Sequence, residues 1–95
     1  MLDRLQEDMG SDDFEVVTIS LDRRADEATA FYADNNIVNL TPWHGPIDLA
    51  TKLSAPGLPI TIFYNRDGRE LARISGEVDW DREEARAFIT YLIEN

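Results

Sequence analysis

Few side chains in this sequence are equipped for chemistry. His44, in Trp43-His44-Gly45, is the one histidine in 95 residues. A catalytic histidine needs a nucleophile or an acid partner. The nearest carboxylate in sequence is Asp48, and there is no cysteine. A single histidine does not make a metal site. His44 is therefore read as a loop-surface residue and Trp43 as a loop anchor. The acidic pairs Asp12-Asp13 and Glu83-Glu84 read as solvated turns and a helix N-terminus, where the helix dipole favours them. Asp79 and Asp81, flanking Trp80, read as helix entry and cap. No phosphate-binding glycine loop, paired catalytic carboxylates or nucleophile elbow is present. Neither a metal nor a cofactor is expected.

One stretch still asks for an explanation. In Ser54-Ala55-Pro56-Gly57-Leu58-Pro59, two prolines and a glycine stand at the mouth of an apolar run, Ile60 to Phe63. Proline cannot donate a ladder hydrogen bond, so it belongs at strand starts, edges or bulges. Pro59 therefore marks the head of a strand and the end of a shaped loop.

The elements that must position this loop follow from periodicity. Met1 to Met9 reads as the end of a helix, with Leu2, Leu5 and Met9 on one face. Asp3 is a candidate cap and Gly10 a terminator of the C-cap type. Phe14 to Leu21 is continuous, apolar and β-branched, as an interior strand would be. Asp22 or Asp26 then caps a helix running to about Asn35, with Ala28, Phe31 and Tyr32 as its stripe. Asn35-Asn36 suits its exit. Ile37 to Leu40 is a short strand, Thr41 to Pro46 a loop, and Ile47 to Ser54 a short helix. Pro59 to Tyr64 and Glu70 to Ser75 form a hairpin through the tight turn Asn65-Arg66-Asp67-Gly68. Asp81 caps the last helix, and Glu84 completes a capping-box spacing. Ala85, Phe88, Ile89, Leu92 and Ile93 fall on its core side.

This order gives one α/β layer domain over residues 1–95, with a mixed sheet. Nine basic against nineteen acidic residues leave a net charge of −10. Such a balance excludes the Lys/Arg clusters of a nucleic-acid or anionic-membrane surface. Met1-Leu2-Asp3-Arg4 leads into a polar helix pattern, so no signal peptide is expected within the chain. No apolar run reaches the ~20 residues of a membrane helix.

With Gly57-Leu58-Pro59 set in this order of elements, the chain resembles the C-terminal two thirds of a thioredoxin-fold protein of the TlpA/ResA type. The resemblance rests on FEVVTISLD, the helix after it, the glycine–hydrophobic–proline ahead of a core strand, the N-x-D-G-like hairpin turn and the final helix. It implies a thioredoxin-like three-layer sandwich truncated at its N-terminus. In that family the proline is cis and faces a Cys-x-x-Cys pair. Met1-Leu2-Asp3-Arg4-Leu5 matches the helix beyond that pair, so the redox cysteines have no counterpart here. Ile60 departs from the threonine that often follows the family's proline.

The resemblance implies that the parent is an extracytoplasmic thiol–disulfide oxidoreductase, periplasmic or membrane-anchored, acting on protein dithiols or disulfides. Leu58 and Pro59 would be its substrate-binding residues in this chain, which should itself be inactive. The alternative is a cysteine-free thioredoxin-like interaction module. The family's central strand, between those matched by Phe14–Ser20 and Pro59–Tyr64, is also without counterpart. Unpaired backbone groups on buried edges cost about 1–3 kcal/mol apiece. Three outcomes follow: direct pairing of the two strands, a homodimer or strand-exchanged assembly, or a remnant of a longer protein. A self-associated or rearranged chain is the one expected.

Overall fold

Leu2, Leu5 and Met9 take up the helical spacing that their sequence positions predict. They lie in α1 (Leu2–Met9), with Leu5 buried and the other two half-buried. The elements that follow are β1 (Ile19–Ser20), α2 (Ala25–Asp34), β2 (Trp43–His44), α3 (Leu49–Lys52), β3 (Ile60–Tyr64), β4 (Glu70–Ser75) and α4 (Glu83–Glu94). This is a computed structural model, and it describes residues 2–21, 25–46 and 48–94. The chain is an α/β protein with helices and two small sheets, β1-β2 parallel and β3-β4 antiparallel. A single mixed sheet was the expectation from sequence. It divides into two units, Met1–Pro46 with Asp79–Asn95, and Ile47–Val78.

In the first unit Leu5, Ala28, Trp80 and Ile89 are the buried apolar residues. Burial of Leu5 and of Ile89 is worth about 1.5–3 kcal/mol of hydrophobic stabilisation each. The helical stripes are only partly used. Phe31 of α2 is 58% exposed, and Phe88 and Ile93 of α4 are also exposed. Asp22 lies outside the described residues, and Asp26 sits within the first turn of α2. The exit of α2 is as expected. Asn36 is left-handed, with φ 55°. Its N–H donates to Ala33 (3.3 Å) and that of Ile37 to Tyr32 (2.9 Å). This is the paired closure of a Schellman motif, with asparagine in the position usually held by glycine.

Two expected strands are largely absent, and α1 is the reason. Asp3 does not cap its helix. Its Oδ1 accepts the amides of Val38 (3.1 Å) and Asn39 (2.6 Å). One turn along, Gln6 Oε1 accepts the amide of Val16 (2.6 Å). In the parallel register Ile19↔Trp43, residues 14–16 would continue opposite 38–40. The amides of Val16, Val38 and Asn39 donate to side chains of α1 instead. Such side-chain acceptors compete directly with the strand ladder. Phe14 to Leu21 therefore forms a strand only at Ile19–Ser20, and Ile37 to Leu40 forms none. Pairing resumes later, at Trp43–His44, inside the stretch read as loop.

Gly10 ends α1, but not through a left-handed cap; among the described glycines only Gly68 and Gly76 have positive φ. Its role is close approach. A Cβ there would stand 2.1 Å from Gln6 Nε2 and 2.4 Å from the Gln6 carbonyl oxygen.

The expected capping box of α4 is also replaced. Asp81 bonds Arg4 Nη1 (3.1 Å) and Arg86 Nη2 (3.4 Å), while Glu84 pairs with Arg82 (3.5 Å). Arg86 further donates to Asp8 Oδ2 (2.7 Å) and to the Trp80 carbonyl (2.9 Å). The alternating chain Arg4–Asp81–Arg86–Asp8 ties α1, α4 and the turn before it together.

In the second unit, β3 and β4 pair from Ile60↔Ser75 to Tyr64↔Glu70. The turn is held by Asn65, whose Oδ1 accepts the amides of Asp67 (3.0 Å) and Arg69 (2.9 Å). Gly68 supplies the positive φ, 81°. Helix α3 is shorter than Ile47 to Ser54. Ile47 lies outside the described residues, and Ser54 is the left-handed exit, with φ 57°.

The Gly10 geometry makes a paired prediction. Gly10→Ala should lower stability by about 1–2 kcal/mol in urea denaturation, because it displaces Gln6 from Val16. Gly57→Ala, where a Cβ meets nothing within 4 Å, should shift it by less than about 0.5 kcal/mol.

Candidate substrate-presenting loop

The loop from Ser54 to Pro59 is built by the elements at its two ends. At its start, α3 closes with Ser54 N–H on Thr51 (3.0 Å) and Ala55 N–H on Ala50 (2.8 Å). A serine in the left-handed region costs on the order of 1 kcal/mol, so these bonds and their surroundings must hold it. At its finish, the Pro59 carbonyl accepts the amide of Gly76 (2.9 Å). Gly76 has φ 90°, which only glycine adopts easily. Pro59 thus joins the hairpin as an acceptor, the one ladder role open to it. The Leu58–Pro59 peptide bond is cis.

Arg73 fastens the loop from the side. Its Nη1 donates to the Leu53 carbonyl (2.9 Å), just ahead of the loop. Its Nε and Nη2 grip both oxygens of Glu70 (2.7 and 2.6 Å). Residues three apart on a regular strand point to opposite faces. Here the register steps between Phe63 and Tyr64, from Phe63↔Ala72 to Tyr64↔Glu70. Leu71 is the extra residue of this bulge, and it turns Glu70 onto the face of Arg73. Ala72 and Ile74 share the other face with Phe63 and Thr61.

Between these anchors, Pro56, Gly57, Leu58 and Pro59 are exposed, with Leu58 at 62%. The backbone groups of Gly57 and Leu58 bond to no described residue. No residue from Leu53 to Phe63 is ionisable. The loop is therefore equipped to hold an extended backbone and an apolar side chain, and not to move a proton.

Leu58 and Pro59 thus stand together on one pinned turn. Arg73, Glu70 and Gly76, which hold that turn, were not singled out from the sequence. The available signal was the break in alternation at Leu71-Ala72, which marks the bulge. Trp43 and His44 belong to the first unit. Trp43 is 54% exposed and its backbone is paired in β2, so it is a strand residue and not a buried loop anchor. Among the described residues no cluster of three or more His, Cys, Asp or Glu is placed to hold a metal. No described helix is long and apolar enough to cross a membrane. No family model, curated protein or solved structure matches the chain.

The hydrogen bonds from Arg73 hold the Glu70 carboxyl below the usual glutamate range, against a smaller opposing desolvation and with help from the arginine's charge. The Arg73 guanidinium is raised by the same bonds. Because the folded pKa of Glu70 is depressed, its contribution to stability is present above the unfolded value, near 4.3. That contribution is lost as pH falls through the folded value. A carboxyl-resolved NMR titration should find Glu70 titrating below that value in the native chain. In Arg73→Gln it should return to the ordinary range.

Proposed function

We propose that this chain is the substrate-presenting part of a thioredoxin-like thiol–disulfide oxidoreductase of the TlpA/ResA type, with Leu58 and Pro59 as its substrate-facing residues. The observation that carries this reading is the exposed, doubly anchored Gly57-Leu58-Pro59 turn at the head of a hairpin strand. The element order supports it, with a strand, a helix and a short helix before the turn and α4 after the hairpin. On this reading the fold is a truncated three-layer sandwich, and the parent works outside the cytoplasm on protein dithiols or disulfides.

The chemistry would come from a cysteine pair that none of these 95 residues provides. A low-pKa thiolate attacks a substrate disulfide, releases one substrate thiolate and leaves a mixed disulfide. The second cysteine then displaces the other substrate thiol and closes the pair as a disulfide. The role of Gly57, Leu58 and Pro59 is to hold the substrate backbone still during that exchange.

Two measurements test the reading. The gene upstream of Met1 should encode Cys-x-x-Cys within about ten residues. A frame without it would favour the cysteine-free interaction module. The isolated chain should give no turnover in insulin reduction with dithiothreitol, and activity there would overturn the assignment.

A further inference from the structure

The second edge of β1 has the chemistry of an interface. Bonds between β1 and β2 use the even-numbered residues: the Ser20 carbonyl accepts the amide of Gly45 (2.9 Å) within the parallel register. Val16, of the same parity, donates to Gln6. Backbone groups alternate sides along a strand. Those of Val17 and Ile19 therefore point to the opposite edge, where they bond to no described residue. From Glu15 to Thr18 the chain runs without a turn, and exposure alternates residue by residue. Val17 and Ile19 are 55% and 49% exposed, and Trp43, beside Ile19 in the register, is 54% exposed. Unpaired donors and acceptors next to apolar side chains are a template for another strand.

We propose that this edge pairs with itself in a second copy of the chain, antiparallel and centred on Thr18. In that register Val17 exchanges both backbone bonds with Ile19 of the partner subunit, and the reverse follows by the two-fold axis. Every edge-facing donor of the two residues meets an acceptor, which is the self-complementarity an isologous interface requires. Glu15 then stands opposite Leu21 of the partner subunit, so no like charges face each other. The charge order along the sequence favours the same direction. Asp12-Asp13 precede the stretch, and Arg23-Arg24, outside the described residues, follow it. The net charge of −10 opposes association in general. At physiological ionic strength, however, repulsion is screened beyond about 8 Å, and local complementarity decides.

Light scattering after size-exclusion chromatography, at physiological salt, tests the proposal. The chain should elute at twice its 10.8 kDa mass. Val17→Pro removes an edge-facing donor without touching the ladder to β2, and should give the monomer mass with an unchanged circular dichroism spectrum. Ile19→Lys, at an exposed position, should do the same and decides alone if Val17→Pro does not fold. A wild-type chain that stays monomeric up to its solubility limit would overturn the proposal and leave the edge to a strand of some other protein. So would a dimer that both variants preserve.

Discussion

The fold turns on where the amides of residues 14–20 and 38–39 find their acceptors. Val38 and Asn39 are exposed, so Asp3 wins their amides as a nearby acceptor in competition with water and with a strand ladder. Asp3 and Gln6, one helical turn apart on α1, take the amides of Val38, Asn39 and Val16. That choice separates two segments that would otherwise ladder. It confines parallel pairing to Ile19–Ser20 and Trp43–His44, and it leaves β1 short, with no second strand beside it among the described residues. Gly10 belongs to the same arrangement, because only a residue without Cβ lets the Gln6 side chain lie against the end of α1.

In the second unit the decisive feature is a bulge. Leu71 is the extra residue, and through it Glu70 and Arg73 come to the same face. Arg73 then has a free Nη1 for the Leu53 carbonyl. A register step in β4 thereby fixes the start of the loop whose end is fixed by Gly76 on Pro59. The exposed turn between them is held by groups outside it. A turn built this way is anchored at both ends and carries no ionisable side chain.

Local signals were legible in the sequence where local physics decides the outcome. Glu70–Ser75, the Asn65–Gly68 turn, the asparagine exit of α2 and the proline at the head of β3 all stand where composition and spacing put them. Four features escaped because distant partners decide them. Ile37 to Leu40 has strand-like residues, but Asp3 claims its amides. Asp81 has a capping residue's chemistry, yet Arg4 and Arg86 hold its carboxylate. Phe31 fits an apolar stripe that the fold leaves exposed. Trp43–His44 reads as part of a loop, yet it is the segment with which β1 pairs.

Amide hydrogen exchange in Asp3→Ala tests most directly whether α1, and not a neighbouring strand, holds residues 38–39. If it does, the amides of Val38 and Asn39 will exchange markedly faster in the variant, while those of the β3–β4 hairpin keep their native rates. Unchanged protection at Val38 and Asn39 would contradict it, for their amides would then be held by a strand partner that Asp3 does not provide.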